Sequence, residues 1–411
     1  MLYRVEIENF FSIRDLQVLD LTVAPNVPDP DNRFAPIFIG SDLRAPKVVA
    51  IYGANASGKT NVLKAIAFIA AFVRNSNAVD FGGMQVERFN DLESMNRPVK
   101  LAIELGGIMN LDEDVWTAAS KDESAVEYGC LRYEVEIEIV DGVFTRVLRE
   151  ALRQRPNGKN KWQRVFERER DGNVYGSASF KMSKFQHLIT TLRPKSSVLA
   201  NFAHFNHPTA ALYVQRVQGV LDNLAGHFHA ANDHLIVGYL AANPAILHRV
   251  NRELSRVDVG VEEFKIVDVG QGPQAMFRHS GLHAEMPWAL ESQGTLAFIR
   301  LFPMLANVLD MGSIALVDEF DTLMHPLLLP EVLRWFYDYA TRNPYDAQVW
   351  LSCHSATLLE DLAKEEVVIT TKSATGRTSL YSLMDVKSVR RDENLYRKYL
   401  GGAYGGVPHV G

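Results

Sequence analysis

Hydrophobic and polar residues alternate from the start of the chain. Tyr3, Val5 and Ile7 fall on one side and Arg4, Glu6 and Glu8 on the other, the period of a half-buried strand. A turn over Asn9 to Ile13 leads to a second strand through Leu16, Val18 and Leu21. Pro25, Pro28, Pro30 and Pro36 mark residues 25–46 as a loop. Val48 to Tyr52 is an unbroken apolar, β-branched run typical of a buried strand, and Asn61 to Ile69 has helix-forming composition. Residues 99–180 read mainly as β: Tyr133, Val135, Ile137 and Ile139 alternate with Glu134, Glu136 and Glu138, and Asp141-Gly142 then signals a hairpin. Residues 181–258 turn helical, with no heptad repeat sustained enough for a long coiled-coil arm. Further on, Ser313 to Val317 and Gln348 to Ser352 are short apolar strands. Between them Val332, Trp335, Phe336, Tyr339 and Ala340 form the stripe of a helix that Asn343-Pro344 stops. The pattern divides the chain into 1–98, 99–180 (β-rich), 181–258 (helical insertion) and 259–411.

Strand, glycine loop and helix meet at Gly53-Ala54-Asn55-Ala56-Ser57-Gly58-Lys59-Thr60, which reads G-x-x-x-x-G-K-[ST]. In such a turn the backbone N–H groups converge on phosphate oxygens at the positive end of a helix. Gly53, Asn55, Ser57, Gly58, Lys59, Thr60 and Asn61 are therefore the candidate nucleotide contacts. Lys59 is placed to reach the β and γ phosphates of ATP, and Thr60 to ligate Mg2+. A second piece of the same chemistry ends the 313–317 strand, where Asp318 and Glu319 stand side by side. Asp318 would hold the metal with Thr60, while Glu319, pointing elsewhere, would orient or deprotonate a water.

Composition narrows the class. At 411 residues and 47% hydrophobic content the chain can build two or three cores. A net charge of −6 argues against general coating of nucleic acid. Cys130 and Cys353 are too few for a disulfide scaffold. The start of the chain lacks a signal-peptide layout, and the apolar stretch 62–73 is interrupted by Lys64 and too short for a bilayer. A cytoplasmic protein without membrane contact is expected. Six histidines lie between 204 and 248 (His204, His207, His227, His229, His234, His248), but no cysteine or His-Glu-x-x-His spacing makes a metal site of them. Basic residues gather from Arg146 to Arg170. They admit two readings, a contact for a phosphate backbone or an acidic partner, and a solvated hairpin face around Pro156-Asn157-Gly158.

Ile7-Glu8-Asn9-Phe10-Phe11-Ser12-Ile13-Arg14 ahead of the glycine loop resembles the opening of SMC-like and RecF-like ABC ATPases, AAA-type proteins in the broad sense. In particular it resembles the short stand-alone ATPases grouped with the overcoming-lysogenization-defect proteins. The resemblance implies an α/β fold, a P-loop ATPase head with a mixed β-sheet lobe and a helical insertion. It implies that His354, after the 348–352 strand, senses the γ-phosphate. Glu291-Ser292-Gln293-Gly294-Thr295 resembles the family's variant signature, whose Ser292 and Gly294 would address ATP held by another subunit. Asp321 falls in the region that contacts across the dimer. A homodimer with ATP at the interface follows, with higher assembly left open. The Gly- and Tyr-rich tail, Arg390 to Pro408, also matches these proteins, without a chemical role that can be assigned.

Larger relatives carry a C-terminal Toprim nuclease. About fifty-seven residues follow His354, fewer than such a domain requires. The resemblance therefore implies an ATPase, with Lys59, Glu319 and His354 catalytic, that switches a separately encoded effector such as a nuclease or toxin in bacterial anti-phage defence or abortive infection. Two alternatives stand beside it: a RecF-like repair ATPase clamping DNA through 146–170, and a scaffold in which ATP is bound without turnover.

Overall fold

Alternation along the strand Val48–Tyr52, β5, decides where everything else packs. In the computed structural model, which describes residues 1–78, 86–109, 126–224, 233–257, 260–268, 270, 272–322, 324–391 and 393–407, this strand is buried over its whole length. Val49 and Ile51 face one apolar cluster, and Val48, Ala50 and Tyr52 face another, as the two-residue period of a strand requires.

In chain order the strands are β1 (Leu2–Glu8), β2 (Gln17–Asp20), β3 (Phe34–Pro36), β4 (Arg44–Pro46), β5 (Val48–Tyr52), β6 (Val99–Ile108), β7 (Tyr128–Val140), β8 (Val143–Pro156), β9 (Gln163–Arg168) and β10 (Val174–Gly176). They continue with β11 (Val220–Asp222), β12 (Val261–Asp268), β13 (Pro273–His279), β14 (Met286–Pro287), β15 (Ile314–Val317), β16 (Gln348–Ser352), β17 (Val367–Lys372) and β18 (Thr378–Ser382). The helices used below are α1 (Lys59–Asn75), α2 (Val198–His204), α3 (Pro208–Val217), α4 (Asp233–Ala242), α5 (Pro244–Val257), α6 (Gln293–Met311), α7 (Leu328–Tyr337) and α8 (Leu395–Leu400).

The central sheet runs β11-β15-β16-β5-β17-β18, parallel except for β18. One face packs on α1, α2 and a second, antiparallel sheet of order β10-β9-β8-β7-β6-β1-β2. The other face is covered by α6, α7, the β12-β13-β14 sheet and α8. This is an α/β fold in which a mainly parallel sheet carries the glycine loop, with an antiparallel β lobe and inserted helices.

Two strand pairings cross the expected divisions. β1 pairs with β6, so the chain's first strands belong to the β lobe's sheet. β11, from within the helical stretch, pairs with β15 and forms the edge of the central sheet.

Several local expectations are corrected. In β2 the inward residue is Leu19, followed just past the strand by buried Leu21, while Val18 and the preceding Leu16 are exposed, because pairing of Val5 with Leu19 sets the register. The proline-rich 25–46 stretch contains the hairpin β3-β4, with Pro36 and Pro46 at strand ends where a missing N–H costs no ladder bond. A proline is expected to kink or end the helix that starts near Ser292, but Pro303 does not end α6, which is buried along most of its length and continues to Met311. Among the described residues this helix, rather than 62–73, is the one apolar and long enough to cross a bilayer by composition, and it is mostly buried in the core. α7 stops at Tyr337, leaving Tyr339 and Ala340 outside it.

The Asp141-Gly142 hairpin forms as the sequence predicts, with φ +51° and +74° at the two turn residues. On the outer face of its sheet the basic residues are matched to acids. Arg132 binds Glu6 (2.7 Å), Glu104 (2.8 Å) and Glu134 (2.5 Å), and Arg149 binds Glu134 and Glu167 (2.7 Å each). Arg146 meets Glu138, Arg170 meets Glu136, and Arg155 lies over the Trp162 ring. The solvated-face reading of 146–170 fits this ladder.

Hydrogen bonding from Arg132 holds the Glu6 carboxyl below its ordinary value of 4.5, and Arg132 and Arg149 do the same for Glu134 against the opposing effect of burial. A depressed acid stabilises the fold above its unfolded pKa, and that contribution fades as pH falls. Arg132→Ala leaves Glu104 with Arg4 at 3.7 Å and the Tyr3 hydroxyl. We expect it to cost about 2 kcal/mol at pH 8 and clearly less near pH 3, well below the unfolded carboxyl value, as read by denaturant unfolding. An equal loss at both pH values would contradict the charge account.

Candidate functional site

Strand register brings the motif residues together. Val317 pairs with Leu351, and Ser352 with Ile51. The residues that follow the last positions of β15, β16 and β5, namely Asp318, Cys353 and Gly53, therefore lie together at the carboxyl ends of three adjacent parallel strands, the usual place for a ligand in such a sheet.

The glycine loop is shaped for phosphate. Gly58 has φ +106°, and a Cβ there would lie 2.5 Å from Thr378 Oγ1. A Cβ on Gly53 would strike Thr370 Oγ1 and come within 2.5 Å of Thr370 O. Only glycine fits at either place. Lys59 Nζ donates to Gly53 O (2.9 Å) and Ala54 O (3.2 Å) and lies 3.5 Å from His354 Nδ1. Burial pulls this ammonium below the usual lysine range, opposed by Asp318 and Asp321. Asn55 is exposed at the loop tip, and Ser57 is buried.

Around Asp318 the hydroxyls converge. Thr60 Oγ1 donates to Asp318 Oδ1 at 3.0 Å and Ser352 Oγ donates to the same oxygen at 2.5 Å. Threonine, carboxylate and serine oxygens are the hard donors that magnesium takes, so the set fits that ion. Glu319 and His354 are exposed on either side. Glu319 sits at φ +50°, a left-handed conformation that a glutamate rarely adopts, held by its N–H donating to Ser352 Oγ at 2.8 Å. The bend turns its side chain away from that of Asp318. Asp321 accepts from the main-chain N–H of His354 within its own chain, at 3.1 and 3.0 Å.

Ser292 and Gly294 stand elsewhere. Ser292 caps α6, its Oγ accepting from Thr295 N at 3.1 Å, and is exposed. Glu291 beside it is buried and bound to His279 at 2.7 Å, which fixes where the helix starts. No hydrogen bond among those described joins Ser292 or Gly294 to the glycine loop of the same chain.

Sequence reading missed the supports. Asn223, just after β11, receives the Asp318 N–H on its Oδ1 (2.7 Å) and donates Nδ2 to Asp318 O (3.0 Å). A relay of hydroxyls braces the loop from behind: Asn61 Nδ2 donates to Ser12 Oγ (2.7 Å), which bonds Thr378 Oγ1 (2.7 Å), which donates to Ser57 O (2.7 Å). Ser57 Oγ bonds Thr370 Oγ1 (2.6 Å), which donates to Tyr52 O (3.1 Å). Asn223, Thr370 and Thr378 lay outside every motif the sequence had singled out. Among the described residues no group of three or more His, Cys, Asp or Glu side chains could hold a metal ion. His207 is a buried cap of α3, its Nε2 donating to Phe180 O at 2.7 Å. His227 and His229 lie outside the described residues.

A comparison with curated proteins finds no match. A solved structure described as the SmcHead bound to the C-winged helix domain of ScpA is similar at a TM-score of 0.45 and 13% identity, over 94% of this chain and 99% of that one. The model of a family described as "AAA domain, putative AbiEii toxin, Type IV TA system" matches residues 48–360. That span runs from β5 through the glycine loop, Asp318 and His354, and over it the chain belongs to this AAA-domain family.

Proposed function

We propose that the chain is an ATP-hydrolysing switch that closes as a homodimer around ATP and controls a separately encoded effector. The observation that carries this reading is the meeting of Lys59, Thr60, Asp318 and Ser352 beside two exposed groups, Glu319 and His354, at adjacent strand ends.

The loop N–H groups and Lys59 would hold the β and γ phosphates, and Lys59 would exchange its bonds to Gly53 O and Ala54 O for phosphate oxygens. Thr60 and Asp318 would hold magnesium, which when bound supplies positive charge against the β and γ phosphates. Glu319, fixed at its backbone by Ser352, would accept a proton from the attacking water or orient it. His354, anchored through its N–H on Asp321, would present its ring to the γ-phosphate. The exposed Ser292 and the half-buried Gly294 at the start of α6 would offer a second anion site for a neighbour's ATP.

The defence setting rests on the resemblance to overcoming-lysogenization-defect proteins and on the toxin–antitoxin description of the family. The DNA-clamping alternative loses support, because the 146–170 arginines are spent largely on glutamates. With magnesium and ATP the purified chain should release phosphate and sediment as a dimer more readily than with ADP. Absence of both effects would remove the switch reading.

A further inference from the structure

The tail that the sequence left without a role lies on the glycine loop. Tyr399, in α8, packs edge-on against Tyr52, the last residue of β5, with ring centroids 5.6 Å apart. Its hydroxyl donates to Gly406 O at 3.2 Å. Gly406 is pressed against the loop itself: a Cβ there would come within 2.9 Å of Ile369 Cγ2 and within 3.5 Å of the Cα of Gly53. Tyr381 on β18 fastens the segment by bonding Tyr404 O, and Tyr404 reaches Glu393 at 2.5 Å. Tyr52 in turn donates to Ser355 O (3.2 Å), one residue past His354.

We propose that residues 395–407 form a positioning clamp for the phosphate-binding loop, acting on Gly53 through Gly406 and on the His354 turn through Tyr399 and Tyr52. Gly53 supplies the carbonyl that Lys59 holds. A shift of the tail therefore changes the position from which the lysine meets phosphate. Conversely, a nucleotide that draws Lys59 away loosens the surface on which Gly406 rests. The clamp's effect on nucleotide rests on the ATPase reading above; its effect on the loop does not.

Two glycines of the tail make the test. Gly402 and Gly406 have nearly equal backbone angles, φ +75° and +72°, so alanine strains both alike, but a Cβ at Gly402 meets only Val407, at 3.8 Å. Amide hydrogen exchange of residues 53–60 and titration with magnesium ATP are read on the full chain, the Gly402→Ala and Gly406→Ala variants, and Tyr399→Phe. Gly406→Ala should speed exchange across the loop and weaken ATP about tenfold, or about 1.4 kcal/mol. Gly402→Ala should do neither, and Tyr399→Phe should act in the same direction as Gly406→Ala by a smaller factor. Equal loop exchange in all four proteins, or equal changes in the two alanine variants, would overturn the clamp. Should Gly406→Ala fail to fold, Tyr399→Phe with wild-type loop exchange would overturn it equally. A wild-type chain that binds no ATP while Gly406→Ala still speeds loop exchange would instead sink the ATPase reading and leave the clamp standing.

Discussion

Lys59→Ala should weaken ATP binding at least about 100-fold, close to 2.7 kcal/mol, and abolish phosphate release. The lysine is the one cation bonded inside the loop, where it sits on two carbonyls beside His354. Alanine would remove the charge-assisted bonds the lysine offers to phosphate and leave the repulsion between phosphate and the nearby Asp318, Glu319 and Asp321, which act on Lys59, offset only by the loop N–H groups and magnesium. Fold stability should change far less, since the two carbonyls it releases can turn to water. Titration calorimetry with magnesium ATP and thermal unfolding without nucleotide separate the two effects. Binding within threefold of wild type would mean that the loop does not take triphosphate through Lys59.

Glu319→Gln should behave in the opposite way, keeping ATP affinity and lowering turnover by about 100- to 10,000-fold. The amide keeps the side chain's size and its left-handed backbone, but it cannot accept a proton. ATP-loaded dimers should then persist, visible as a stable shift in sedimentation with ATP and none with ADP. Glu319→Gly makes a useful companion. It removes the side chain and also relieves a strain of about 1 kcal/mol at φ +50°, so a rise in melting temperature with the same loss of turnover is expected. Such a rise would mean that the fold tolerates the strain in order to aim this residue. Unchanged turnover in both variants would remove Glu319 from the chemistry.

The glycine loop, the Asp318-Glu319 pair and the strand before His354 were legible because each is a local pattern, an apolar run ending in polar residues of fixed type. What braces these residues was not. Asn223 lies 95 residues before the main-chain group it pairs with, and Thr370 lies 313 after Ser57. Those partners are chosen by which strands become neighbours, and no spacing in the sequence reports that. Pro303 misled in a related way: burial of α6 on most sides outweighs one lost backbone bond. The tail defeated local reading too, since Gly406 serves close approach to Ile369 and Gly53 rather than a turn signal alone.

β11 carries a consequence for how this chain could be cut or grafted. The helical stretch after residue 181 is not a cartridge that lifts out of the head, because Val220–Asp222 is the edge strand beside β15 and Asn223 clasps the backbone of Asp318. Excising 198–257 as a block would strip the edge from the sheet and free the carboxylate placed beside Thr60. A chimera that exchanges these helices needs two seams, one before Gly219 and one after Leu224, so that the short strand stays with its host. The same attachment makes the inserted helices a handle. Whatever pulls on α3 pulls, three residues later, on the strand that positions Asp318.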